Sequence, residues 1–389
     1  MKRLYKYFFG ILGISFALTA CDDWLDTEIK DPANLTISNK DEAYYARLRE
    51  YKKSDHPVAF GWYGNWTGTG ASYENSLKGL PDSVDFVSLW GNWKNPSPAM
   101  MEDLRYVQEK KGTKVLFCFL VLDIGDQITP PMPQEEINNG TSIEDWRHKF
   151  WGWDYSLENR LVAVEKYANA LCDTIEKYNY DGFDFDAEPN VQHPFPTNKE
   201  LWQNNGQVIA KFVETMSKRV GPKSGTGKML VVDGEPDALP AELFHHFDYL
   251  ILQTYTTYYK QDNSRLDARF DKQYAHFKDV ATAGEIAKKI IICENFEDHA
   301  KTGGAAFILP DGTEINSLSG FAYWNPSVGG IQYRKGGVGT YHMEYEYKVN
   351  AQGSETYPAL RKAIQIQNPS IKSVSYTHLR AHETLMNLV

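Results

Sequence analysis

Eight short apolar runs recur along this chain, separated by stretches patterned as helices. The runs are Val58–Tyr63, Val84–Trp90, Lys114–Leu122, Gly182–Ala187, Met229–Asp233, Phe247–Tyr255, Lys289–Asn295 and Gly320–Trp324. Between them Met101–Lys111, Leu157–Tyr178, Glu200–Val220, Leu239–His246 and Asp267–Ala281 read as helices, and Tyr357–Ile366 supplies a last one. Eight strand–helix alternations predict an α/β fold, a (β/α)8 TIM barrel with right-handed crossovers, over residues 56–370. No second domain and no solenoid-length repeat is expected.

The fourth run differs from the rest. In Tyr180-Asp181-Gly182-Phe183-Asp184-Phe185-Asp186-Ala187-Glu188, apolar residues alternate with Asp184, Asp186 and Glu188. Alternation at period two puts three carboxylates on one face of a strand and aromatic rings on the other. Acids on one face repeat about every 6.6–7 Å along a strand. In a confined interior they cannot all ionise, so their pKa values are pushed apart. One can then donate a proton while another stays an anion at the same pH.

Barrel enzymes place their chemistry at the C-terminal ends of the strands. The runs here end in Trp62-Tyr63, Trp90, Glu188, Asp233, Gln253 with Tyr255, Asn295, and Trp324-Asn325. Asp233 and Glu235 follow the fifth run as mouth-lining acids or as ordinary loop acids. The connection Asp123–Trp153 is long, rich in Pro and Gly, and carries Trp146, Trp151 and Trp153. A loop of that length is either functional or a floppy insertion.

Formal net charge is −10, against a nucleic-acid partner, which needs a basic face. Aromatic residues make up 14% of the chain, which suits carbohydrate binding as well as core packing. Residues 1–21 form a targeting segment: basic Lys2-Arg3, an apolar stretch Tyr7–Ala20 too short to span a bilayer, then Leu18-Thr19-Ala20-Cys21. This resembles a bacterial lipoprotein signal, in which Cys21 is lipidated and anchors the chain to the outer membrane. Asp22-Asp23 resemble the export signal of Bacteroidetes surface lipoproteins, which implies display on the cell surface. Residues 22–55 read as a tether with one short helix. Cys118, Cys172 and Cys293 have apolar neighbours and are expected as buried free thiols. No Cys-x-x-Cys or clustered His points to a metal, and no cofactor is expected. Residues 373–389 resemble translated sequencing-adapter read-through and are set aside from the fold.

The segment 180–188 matches the DGxDxDxE signature of glycoside hydrolase family 18, whose chitinases and endo-β-N-acetylglucosaminidases are (β/α)8 barrels. Gln253-Thr254-Tyr255 resembles the family's sixth-strand Met/Gln-x-Tyr element, and Gly320–Asn325 its eighth-strand segment. The resemblance covers residues 56–370. It implies that Glu188 is the general acid and then the base. It implies that Asp186 orients the substrate's 2-acetamido group, that Asp184 shares its proton, and that Tyr255 donates to the acetamido oxygen. Trp324 would floor the −1 subsite, with Gln253 and Trp62 as further sugar contacts. Ala187 and Pro189 depart from the common pattern beside the catalytic Glu without removing a catalytic group.

What the resemblance implies is retaining, substrate-assisted hydrolysis of GlcNAc-β1,4-GlcNAc through an oxazolinium ion. An endo-β-N-acetylglucosaminidase acting on N-glycan cores is favoured over a chitinase. The single barrel has no obvious chitin-binding module, and residues 296–319 are too few for the α+β insertion of many processive chitinases. A monomer is expected. A non-catalytic surface glycan-binding protein on the same barrel is the alternative.

Overall fold

The computed structural model describes residues 40–191, 197–255, 260–349 and 356–369. The targeting segment with Cys21, residues 22–39 of the tether, and residues 373–389 lie outside the described residues. Eight parallel strands close into a barrel: β1 Val58–Tyr63, β2 Phe86–Trp90, β3 Lys114–Leu120, β4 Gly182–Ala187, β5 Met229–Gly234, β6 Leu250–Gln253, β7 Ile290–Asn295 and β8 Gly337–Tyr341. The barrel order is β1-β8-β7-β6-β5-β4-β3-β2, so every strand is paired on both edges. The (β/α)8 fold expected from the pattern is present.

Alternation along each strand divides the apolar residues into two cores. Val58, Phe60 and Trp62, Leu116 and Cys118, Met229 and Val231, and Ile291 and Cys293 fill the lumen. Phe117, Phe119, Phe183, Phe185, Leu230 and Val232 point outward and pack with helix residues such as Tyr167, Leu171 and Phe212. The period-two reading of residues 180–188 is therefore correct: the rings of Phe183 and Phe185 face the helices, and Asp184 and Asp186 face the axis. Helix Leu157–Tyr178 has the expected bounds, opened by Ser156, whose hydroxyl accepts from Asn159 N, and closed by Asn179 in the left-handed region.

One strand is elsewhere than expected. Residues 320–324, read as the eighth strand, instead lie in and end the helix Ser317–Tyr323, capped by the Asn316 side chain, which accepts from Ser319 N. The eighth strand is Gly337–Tyr341, paired with β1 and β7. Two of its five residues are glycine. A Cβ on Gly339 would lie 2.7 Å from Phe60 Cδ1 and 2.8 Å from Cys293 Sγ, so neighbouring strands fill the space its side chain would take. A strand so depleted of side chains leaves almost no apolar signal.

The one helix expected in the tether is present, but the barrel unit begins before residue 56. Helix Glu42–Lys53 is continuous, and from Tyr45 onward it belongs to the barrel unit. Leu48 is fully buried, Arg49 donates to the carbonyls of Glu109 and Lys110, and Lys52 Nζ donates to Val84 O and Thr113 Oγ1. Val84 and Thr113 precede β2 and β3, so this helix covers the barrel face opposite the strand ends that carry the acids. Cys118, Cys172 and Cys293 are buried free thiols. No helix among the described residues is long and apolar enough to cross a membrane.

Candidate active site

A cavity of about 760 Å3 opens at the C-terminal ends of the strands. Its walls differ in chemistry. β4, β5 and β6 contribute Asp186, Glu188, Asp233, Gln253 and Tyr255, while β1, β2 and β8 contribute Trp62, Trp90 and Tyr341. In an eight-stranded barrel β4 faces β8 and β5 faces β1, so acids stand opposite aromatic rings. That arrangement suits a pyranose, which has an apolar face and a rim of hydroxyls.

Register sets the acid cluster. Asp186 on β4 pairs with Asp233 on β5, and Asp184 pairs with Val231 one layer deeper. Asp184 is fully buried and accepts the Trp62 indole N–H at 3.0 Å. Burial raises Asp184 to about 6, opposed by nearby Ser88 and Asp233 and by the Trp62 hydrogen bond. Burial first, then the charges of Glu188 and Asp184, holds Asp186 well above the usual carboxylate range. Asp233 is pushed up by burial and by the charges of Asp186 and Asp184, against a 2.8 Å hydrogen bond donated by Gln253 Nε2.

Asp233 is within hydrogen-bonding reach of both Asp184 and Asp186. Among the described residues, Asp184 Oδ1, Asp186 Oδ1 and Asp233 Oδ2 find no amide or hydroxyl donor. Within the protein, proton sharing among the three carboxyls can satisfy them. The three carboxyls therefore titrate together, with Asp186 and Asp233 keeping protons to higher pH than an ordinary carboxyl. The oxygens of Asp186, Glu188 and Asp233 lie within 4.8 Å of one another, near enough for a cation, and shared protons can neutralise them in the same way. Glu144, His148 and Glu200 form a second such group, with His148 bonded to Glu200.

Of the residues singled out from the sequence, Glu188, Asp186, Gln253, Tyr255 and Trp62 line one cavity, and Asp184 lies beneath it. Trp324 does not join them, and its assignment as the −1 floor is corrected. It ends the helix Ser317–Tyr323, is 2% exposed within the outer core, and donates its indole N–H to Asp267 at 2.9 Å. Tyr341, at the end of the true eighth strand, lines the cavity instead and stacks on Tyr255 with centroids 5.8 Å apart. Asp181 is structural, accepting from Val115 N at 2.8 Å.

Two contributors were underweighted in the sequence. Asp233 ends an otherwise apolar run, Met-Leu-Val-Val-Asp, and an inward acid at a barrel strand end was the available signal. The long connection after β3 is not floppy: it contains helices Gln134–Asn138 and Ile143–Trp151, with Trp151 and Trp153 buried. Arg147 from the second helix reaches Asp123 (3.6 Å), Asp126 (3.8 Å) and Glu200 (3.4 Å), pinning the loop as a cavity wall.

The proton-sharing reading carries a stability consequence. Acids with raised native pKa values bind more protons folded than unfolded, so stability falls as pH rises from about 4 through those values. Asp233→Asn removes one such acid and keeps its shape. Its melting temperature relative to native is expected to improve between pH 5 and pH 8, by a few degrees, while hydrolysis slows. A constant difference across that range, measured by calorimetry, would mean that Asp233 is not protonated.

Comparison with known proteins agrees with this geometry. The family model for glycoside hydrolase family 18, BT1044-like, matches residues 26–366. Endo-β-N-acetylglucosaminidase F2 of Elizabethkingia meningoseptica is 26% identical over 347 residues, spanning 83% of this chain and 85% of the relative. A selenomethionine Glu-to-Gln variant of BT1044 superposes with a TM-score of 0.67 at 36% identity, covering 86% of this chain and 94% of that one. The apo endo-β-N-acetylglucosaminidase of Cordyceps militaris, 20% identical, shares the fold with a TM-score of 0.57, covering 85% of this chain and 98% of its own. With the signature acids inside a closed barrel and the family model matched across it, the chain belongs to glycoside hydrolase family 18, BT1044-like, and is a glycoside hydrolase.

Proposed function

We propose that this enzyme is an endo-β-N-acetylglucosaminidase that cuts the GlcNAc-β1,4-GlcNAc bond of N-glycan cores with retention, through an oxazolinium intermediate. The observation that carries the mechanism is the proton-sharing trio behind Glu188. A retaining glycosidase ordinarily uses a second, ionised carboxylate as nucleophile. Here burial and mutual repulsion push the carboxyls nearest Glu188, Asp186 and Asp233, toward the protonated form, which makes them poorer nucleophiles than an ionised carboxylate. The substrate's own acetamido oxygen is the remaining candidate.

In the first step Glu188 gives its proton to the glycosidic oxygen as the C1–O bond breaks and the acetamido oxygen bonds to C1. Asp186 accepts from the acetamido N–H, its proton passing to the Asp184–Asp233 pair, and so stabilises the positive ring that forms. Tyr255, whose hydroxyl burial keeps protonated, donates to the acetamido oxygen. Glu188 then takes a proton from water, the water oxygen bonds to C1 on the face the leaving group vacated, and the acetamido group is released. Trp62 and Tyr341 cover the sugar's apolar face. The choice of N-glycan over chitin rests on the relative named endo-β-N-acetylglucosaminidase F2.

The proposal includes a lipid on Cys21 and display on the outer membrane surface. In its favour stand Leu18-Thr19-Ala20-Cys21, which resembles a lipoprotein signal, and the acidic Asp22-Asp23 that follow it.

The test is mass spectrometry of high-mannose and complex-type glycoproteins incubated with residues 22–372. Release of the glycan with one GlcNAc left on Asn is expected. Cleavage of chitooligosaccharides with both glycoproteins intact would make the enzyme a chitinase instead.

A further inference from the structure

Trp90 ends β2 at the cavity rim and keeps 43% of its surface exposed, unlike the buried Trp62 and Trp93 beside the same cavity. Its ring stands edge-on to Tyr341 (5.7 Å) and to His342 (5.4 Å), and His342 stacks on the exposed Tyr345 at 4.4 Å. His342 is thus the post against which the rim rings rest.

That post is built at some cost to the backbone. His342 takes a left-handed conformation, φ 51°, immediately after β8. Its ring is 7% exposed, and Nδ1 is bonded at 2.8 Å to Glu344 Oε1. Glu344 is itself 2% exposed, and its other oxygen has no donor among the described residues. Residue 64 has to be glycine for the pair to fit: a Cβ there would lie 2.6 Å from Glu344 Oε1 and 3.2 Å from the His342 ring. Burying a half-satisfied carboxylate and a strained histidine would be an expensive way merely to close a loop.

We propose that Trp90 is a specificity-determining residue that stacks on the apolar face of a pyranose next to the one held at Glu188. His342, oriented by Glu344, is its positioning residue. The inference rests on the endoglycosidase reading and extends its site by one sugar along the aromatic wall. Trp90 suits this use because a rigid indole already held on two edges loses little freedom when a sugar covers its face.

The experiment measures kcat and KM on whichever glycopeptide, high-mannose or complex, the native enzyme cleaves, and calorimetric binding of that glycopeptide in a Glu188→Gln background. Trp90→Ala is expected to raise KM and Kd by ~10-fold, the loss of one stacking contact of ~1.4 kcal/mol, with a smaller change in kcat. Trp90→Phe should recover most of it. His342→Gln should move KM in the same direction, and Glu344→Gln, which keeps an acceptor for Nδ1, should move it less. Because Trp90 is half exposed, its variants should fold even if those at His342 do not. Unchanged KM and Kd in Trp90→Ala would overturn the proposal and leave the endoglycosidase reading intact. Failure of the native enzyme on every GlcNAc-containing glycan would remove that reading itself.

Discussion

Glu188→Gln is expected to abolish measurable hydrolysis while leaving the fold and glycan binding in place. Proton transfer by a positioned carboxyl contributes ~10²–10⁴-fold to one step. Glu188 is assigned two such transfers in sequence, to the leaving oxygen and then from water, and an amide can perform neither. The substitution keeps the shape of the side chain and relieves the charge that Glu188 imposes on Asp186. Stability should therefore hold or rise slightly. Mass spectrometry over a long incubation, with a melting curve beside it, checks both halves. A Glu188→Gln enzyme within tenfold of native would mean that another group protonates the leaving oxygen.

Asp186→Asn separates the two halves of the reaction. Its carboxylate is assigned to orient the acetamido group and stabilise the oxazolinium as it forms. Loss of one such electrostatic contact typically removes ~10²–10³-fold in kcat, and hydrolysis of an intact glycoprotein should fall by that order. A sugar supplied already as its oxazoline bypasses the step that needs Asp186. Glu188 remains to take the proton from an acceptor hydroxyl. The variant should then transfer glycan onto a GlcNAc-bearing peptide and accumulate the product, because it cleaves that product slowly. Parallel assays of hydrolysis and of transfer from the oxazoline provide the check. Equal loss in both would place Asp186 in binding rather than in forming the ring.

Both predictions depend on residues that could be read from the chain. Four lumen-facing or outward-facing positions in a row, Phe183 to Asp186, fix which side of β4 faces the lumen and which meets the helices, because the strand period is two and a slip of one would bury the acids among aromatic rings. Seven of the barrel strands were legible for a related reason: buried on both faces, they are apolar runs bounded by polar helices. The eighth was hidden because Gly337 and Gly339 contribute backbone but almost no apolar side chain, while the apolar helix Ser317–Tyr323 nearby mimicked a strand. Trp324 was misplaced with it, and Tyr341 was overlooked.

The sequence by itself determined the barrel, the strand that carries the acids, and the order of Asp184, Asp186 and Glu188 along it, since local alternation and chain order suffice for these. Tertiary structure alone decided which groups share protons and what faces them. Asp233 is 47 residues from Asp186 in the chain and its direct neighbour in the sheet, by the register of β4 and β5. The aromatic wall of Trp62, Trp90 and Tyr341, with the His342–Glu344 pair behind it, exists only because closing the barrel sets β8 beside β1 and opposite β4. A pKa and a binding surface depend on what lies within a few ångströms, and in a closed barrel those neighbours come from distant parts of the chain.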